Sequence, residues 1–190
     1  APNGLDAPPV LVEIHLSGGL PSFTIVGLPE AAVRESRERV RSALINSGFD
    51  FPARRITANL APADIPKQGG RFDLPIALGI LAASGQIKPV GADLPGEYLG
   101  ELGLGGELRS VTGVLPSVLA AKASNRNVML PEANFAEASL VEGASLLATE
   151  SLMQAAAHLS GSVLIAEQAG GQSRLQRQEH CAVLDLGDVC

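Results

Sequence analysis

The stretch RRITANLAPADIPKQGGRFDLPIALGILAASG, residues 54 to 85, holds a strand, a loop and a helix in immediate succession. In RRITANLA (54–61), Ile56, Ala58 and Leu60 alternate with polar neighbours, the period of a strand with one covered face. From Asp73 the run DLPIALGILAASG is apolar almost all round, a pattern that predicts a buried helix. Asp73 is placed to cap it, Pro75 fits a first turn where no intrahelical N–H is needed, and Gly85 ends it. Between strand and helix lies PKQGGRFD, a glycine pair flanked by Lys67 and Arg71. Three readings compete for that loop: a phosphate cradle, the remains of a catalytic loop, or a plain turn into a helix.

Upstream, VLVEIHLS (10–17) alternates with Val10, Val12, Ile14 and Leu16 on one face, and FTIVG (23–27) follows a GGLPS turn. The two predict an antiparallel hairpin. GLPEAAVRESRERVRSALINSG then predicts a helix, with Pro29 near its start, Gly48 past its end, and Val33, Val40 and Leu44 as its apolar stripe, helped by Ala32 and Ala43. Downstream, EYLGELGLGGELRSV (97–111) reads as a hairpin around Gly105-Gly106. Helices and short strands alternate after it as far as LMQAAAHLSG, and from Gln168 the polar QAGGQSRLQRQEH reads as a linker. Strands first, then strands alternating with helices, make an α/β or α+β chain with a mixed sheet.

Composition narrows the function. The chain has 190 residues, 46% of them hydrophobic, but only 3% aromatic and no Trp, so a surface that stacks bases on rings is disfavoured. No run approaches the roughly 18 apolar residues of a membrane span, no signal peptide opens the chain, and a cytoplasmic setting is expected. Cys181 and Cys190 lack partners at zinc-like spacing, so neither a metal site nor a disulfide scaffold is expected. His180 beside Cys181, His15 and His158 are read as polar or packed residues rather than catalysts.

Charge is uneven. Residues 34 to 71 hold eight basic side chains (Arg34, Arg37, Arg39, Arg41, Arg54, Arg55, Lys67, Arg71) and four acids, a net +4 in a chain of −6. That is either a polyanion footprint or a solvated helix face laced by Glu30–Arg34 and Glu35–Arg39 pairs at i,i+4 spacing.

The loop does not fit a phosphate cradle. A P-loop runs G-x-x-x-x-G-K-[ST], whereas KQGGRFD has its lysine before the glycines and opens the helix with an acid that opposes an anion there. GELGLGG lies in a predicted hairpin, so a dinucleotide fingerprint fails as well. No Ser sits in a G-x-S-x-G elbow, and no carboxylate pair is singled out by spacing.

The segments VGLPE (26–30), RVRSALINSG (39–48), NLAPADIPK (59–67), GGRFDLPIAL (69–78) and LGELGLGGELRSVTGVLP (99–116) resemble, over roughly residues 10 to 166, the N-terminal domain of the ComM/YifB family. These are magnesium-chelatase-like AAA+ proteins of bacteria associated with natural transformation. The resemblance implies a fold like the proteolytic domain of Lon, related to the ribosomal S5 arrangement, over residues 1–167, with its first strand missing. It implies a linker at 168–190 toward an absent motor. For the full-length protein it implies ATP, Mg²⁺ and a ring, hexameric in expectation, that drives DNA branch migration.

Set on Lon's Pro-Lys-Asp-Gly-Pro-Ser-Ala-Gly loop, PKQGGRFD puts Arg71 at the nucleophilic serine, and TGVLPSVL puts Leu115 at the lysine. Neither side chain can do that work, so no catalytic residue is expected, and no cofactor or metal for this stretch. The domain is then expected to serve DNA binding and ring assembly, with Arg37, Arg41, Arg54, Arg55, Lys67 and Arg71 as candidate phosphate contacts for single-stranded or branched DNA. The alternative is a structural module for hexamerisation or partner docking that never touches DNA.

Overall fold

The structure, a computed structural model, describes residues 7–90 and 96–171. The expectations that rest on His180, Cys181 and Cys190, and most of the expected linker, lie outside the described residues.

Three strands make the first sheet: β1 (Leu11–Ser17), β2 (Ser22–Val26) and β3 (Arg55–Ala61). Their order is β1-β3-β2, with β1 antiparallel and β2 parallel to β3. The expected β1–β2 hairpin is therefore wrong. Helix α1 (Ala31–Asn46) carries the chain from the end of β2 back to the start of a parallel β3, which inserts between the two. The reason is burial: Ile56, Ala58 and Leu60 are each 0% exposed, and the strand with the most apolar face takes the middle. Val12, Ile14 and Leu16 face the same core, while Glu13 and His15 point to solvent.

Val33, Val40, Ala43 and Leu44 of α1 pack on that face as expected, joined by Ser36, whereas Ala32 is exposed. After a 3-10 turn at Gly70–Phe72 comes α2 (Asp73–Ala83), with Leu74, Ile76, Ala77, Leu78, Ile80 and Leu81 all buried. It packs against α1, β1 and α5 (Leu152–Leu159). Gly79 permits the close contact with β1, since a Cβ there would stand 2.6 Å from Ile14 Cγ1.

The second sheet has the order β4 (Glu97–Tyr98), β7 (Val128–Pro131), β8 (Ser145–Thr149), β9 (Gln168–Ala169). Its first three strands are parallel and the last antiparallel. Val128, Leu130, Leu146 and Ala148 join a cluster with α3 (Val114–Ala123) and α4 (Phe135–Ala138), whereas Met129 and Leu147 join the α1–α2–α5 core. A parallel sheet covered on both faces needs such continuous apolar runs. The hairpin around Gly105-Gly106 is present as β5 (Glu101–Leu102) and β6 (Leu108–Arg109).

Strand β9 lies inside the expected linker. Gly170 N–H donates to Ala144 O at 2.8 Å and Gly171 N–H to Ser139 O at 2.7 Å, so ordered chain runs past residue 167. A polar composition hid it, because an edge strand of two residues needs backbone partners rather than apolar side chains. The architecture is a mixed α/β fold, the expected class.

Candidate nucleic-acid interface

Three of the basic residues singled out from sequence converge on one groove. Arg37 and Arg41, one turn apart on the solvent face of α1, meet Arg54 from the loop that enters β3 across a groove of about 590 Å³. Its floor is aromatic: the Phe23 and Phe51 ring centroids are 6.0 Å apart and the rings are inclined at 49°. The Arg41 guanidinium sits 4.7 Å from the centroid of Phe51, a cation–π contact that fixes its position. Arg37 donates from Nε to Arg34 O at 3.2 Å and from Nη1 to Phe23 O at 3.4 Å. The Arg54 carbonyl accepts from Ser22 N–H at 3.3 Å, which ties the loop to β2. Arg55 is exposed beside Arg54, opposite Ser22 in the register and next to Gly19. One carboxylate, Glu38, also lines the groove. Phe23 and Phe51 belong half-buried to the core, so the rings support the cations rather than offer an open stacking platform.

Lys67 and Arg71 are elsewhere. Lys67 is 0% exposed and donates from Nζ to Pro62 O within its own loop; burial pushes its ammonium below the usual lysine range. Arg71 is buried too and donates from Nη2 to Thr112 O. A buried head group cannot touch a phosphate on the surface, so the expectation that these two face outward is corrected. The sequence window was basic, but the fold turns two of its cations inward. Arg39 is also diverted: its Nε donates to Asp73 Oδ2 at 2.6 Å, in place of the pair with Glu35 that spacing alone suggested.

Asp73 does not cap α2. Phe72 occupies the N-cap position, and the Asp73 carboxylate accepts instead from Ser36 Oγ, from Arg39 and, at 3.2 Å, from Leu102 N–H. Burial pushes it above the usual carboxylate range, opposed by the bonds from Arg39 and Ser36. Arg71 meets the backbone of Thr112, three residues before Leu115, so the loop and helix start that would carry a Ser–Lys dyad adjoin, with Arg71 and Leu115 in them. His158 Nδ1 accepts from Ile165 N–H at 3.0 Å, a packing role, and His15 is exposed on β1.

The sequence profile for subunit ChlI of Mg-chelatase matches residues 12–134. The chain belongs to that Mg-chelatase subunit family. Within it, the chain is 51% identical over 161 residues to the competence protein ComM of Haemophilus influenzae, a match covering 85% of the chain and 31% of that protein. It is 49% identical over 158 residues to YifB of Escherichia coli, covering 83% of the chain and 31% of YifB. Against the Mycobacterium bovis protein Mb2921c the identity is 43% over 167 residues, 87% of the chain and 33% of the relative. The chain thus spans about a third of the length of these curated relatives. The family match runs from Val12 in β1 to Asn134, just before α4, and takes in all three arginines of the groove.

What sequence reasoning missed in the groove is its floor. Phe23 and Phe51 are 28 positions apart, and only the β2–α1–β3 crossover brings them together. The FDF spacing at 49–51 was the available signal, because Phe49 and Phe51 both turn toward the core.

Proposed function

We propose that this chain is a non-catalytic Lon-like domain of a ComM-type AAA+ protein, and that it binds single-stranded or branched DNA through the Arg37–Arg41–Arg54 groove with Arg55 at its rim. The observation that carries this reading is the convergence of the three guanidinium groups on one groove. Guanidinium groups suit phosphate oxygens, which they meet as a planar fork of donors. Identity of 51% to a competence protein supports the cellular setting, DNA uptake and recombination in the cytoplasm. In such a protein ATP and Mg²⁺ serve the motor, the subunits assemble into a ring, hexameric by expectation, and this domain contributes to DNA contact and to assembly. Arg71 and Leu115 at the two dyad positions give the domain no nucleophile and no base, which favours binding over peptide cleavage.

The test is fluorescence anisotropy with labelled single-stranded and forked DNA across a salt series. Phosphate contacts release counterions, so each contact removed lowers the salt slope by roughly one. Arg37→Glu with Arg41→Glu, and separately Arg54→Glu with Arg55→Glu, are expected to weaken both DNAs and flatten the slope. Unchanged affinity and slope in both double variants would sink the assignment. Absence of any DNA affinity, with loss of ring assembly on deleting the domain from the full-length protein, would favour the structural module instead.

A further inference from the structure

Among the described residues, a second cavity shares no lining residue with the groove. It lies between β1, the start of α2, β4 and the second half of α3, and holds about 550 Å³. Its wall is largely apolar, with Val12, Phe72, Leu78 and Leu99 among the lining residues. That volume falls within the roughly 300–1,000 Å³ of small-ligand sites, which combine apolar walls with a few fixed polar groups.

Two arginines line it, Arg71 from the turn before α2 and Arg126 from the segment after α3. Arg71 is 5% exposed, and its Nη1 is buried without a hydrogen-bond partner; the Nε of Arg126 is buried without one as well. Arg126 is otherwise paired through Nη2 with Glu97 at 2.9 Å, but among the described residues no ion pair neutralises Arg71. Burial pushes Arg71 below its ordinary range. Folded proteins seldom leave a buried guanidinium with an idle N–H, because the lost hydration is costly. Arg71 is such a guanidinium, while Arg126, its side chain 40% exposed, lines the same cavity together with its partner Glu97.

We propose that this cavity binds a small organic anion, its carboxylate or phosphate head held by Arg71 with Arg126 beside it, and its apolar body lying along Val12, Leu78 and Leu99. An anionic head supplies the acceptor that Nη1 lacks and the countercharge that Arg71 lacks. Charge-assisted bonds of this kind are stronger than neutral ones and orient the ligand.

Calorimetric titration of the chain with octanoate, octyl phosphate and the neutral octanol tests this, and the two anions tell a carboxylate site from a phosphate site. At least one anion should bind saturably, and octanol roughly tenfold more weakly or worse, the factor that one hydrogen bond to a charged group provides. Arg71→Met should remove that preference for the anion. Ala120→Phe fills the cavity from α3 while keeping the guanidinium; it should abolish binding, and it decides the question where Arg71→Met does not fold. No saturable binding of either anion up to low-millimolar concentration overturns the proposal. So does equal binding of octanol, or unchanged anion affinity in a folded variant. The DNA titrations are independent, since neither variant touches the groove.

Discussion

Asp73 is a carboxylate at 0% exposure, and three groups from two elements reach it: Ser36 and Arg39 from α1, and the Leu102 N–H from β5. Arg39 remains 20% exposed at its side chain, so the pair is buried at one end only. Removing the carboxylate strands the Ser36 hydroxyl, the Leu102 N–H and a half-buried guanidinium. Asp73→Ala should therefore cost about 3 kcal/mol by urea denaturation, the range for breaking a buried hydrogen-bonded pair. Ser36 and Leu102 donate to different oxygens of Asp73, so Asp73→Asn keeps an acceptor for one of them and should still cost less than the alanine variant. The sign of the pH effect follows from burial, which raises the folded carboxyl above 3.8. Between 3.8 and that raised value the folded chain holds a proton the unfolded chain has released, so stability falls as pH rises through the window. Asp73→Asn should flatten that part of the profile; an equally steep fall in the variant would assign it to another group.

At the scale of elements, the turn from β2 into α1 decides the first sheet. Gly27 has φ +98°, and a Cβ added there would stand 2.0 Å from the carbonyl oxygen of Leu60 in β3. Gly27→Ala should cost about 3 kcal/mol or more, since both backbone strain and a backbone clash oppose it. Chemical denaturation would read this, and a loss under about 1 kcal/mol, within the scatter of ordinary substitutions, would mean that β2 is not held there. Elements with a strong apolar period are legible in the amino-acid sequence alone: α1 through Val33, Val40 and Leu44, α2 through its unbroken apolar run, and β3 through Ile56, Ala58 and Leu60. Pairing is not. Adjacent β1 and β2 look like a hairpin because period and turn residues are local signals, while the insertion of β3 depends on which face each strand buries. The site divides in the same way. The basic window located Arg37, Arg41 and Arg54, but a charge count has no inside and outside, and it could not tell that Lys67 and Arg71 turn inward.

Across the whole molecule, one apolar cluster joins the two sheets. Ile25, Ile56 and Leu60 of the first sheet share it with α1, α2, α5 and with Met129 and Leu147 of the second, and Tyr98 packs against it. Tyr98 is the sole tyrosine in a chain without tryptophan, so tyrosine fluorescence reports from β4 alone. Burial pushes its phenol from 10.0 up to about 12. The folded chain thus keeps a proton that the unfolded chain loses, and stability should fall as pH rises from 10.0 toward about 12, a slope that Tyr98→Phe removes. The same residue tests whether the two sheets unfold together. Leu60 is fully buried in β3 of the first sheet, and Leu60→Ala should cost about 2–5 kcal/mol by the usual range for such truncations. If the shared cluster couples the sheets, urea midpoints followed by Tyr98 fluorescence and by far-ultraviolet circular dichroism coincide in the parent chain and move by equal amounts in the variant. A Tyr98 midpoint that stays put while the circular dichroism midpoint falls would mean that the sheets unfold separately, and that α2 and α5 bridge two units rather than the centre of one.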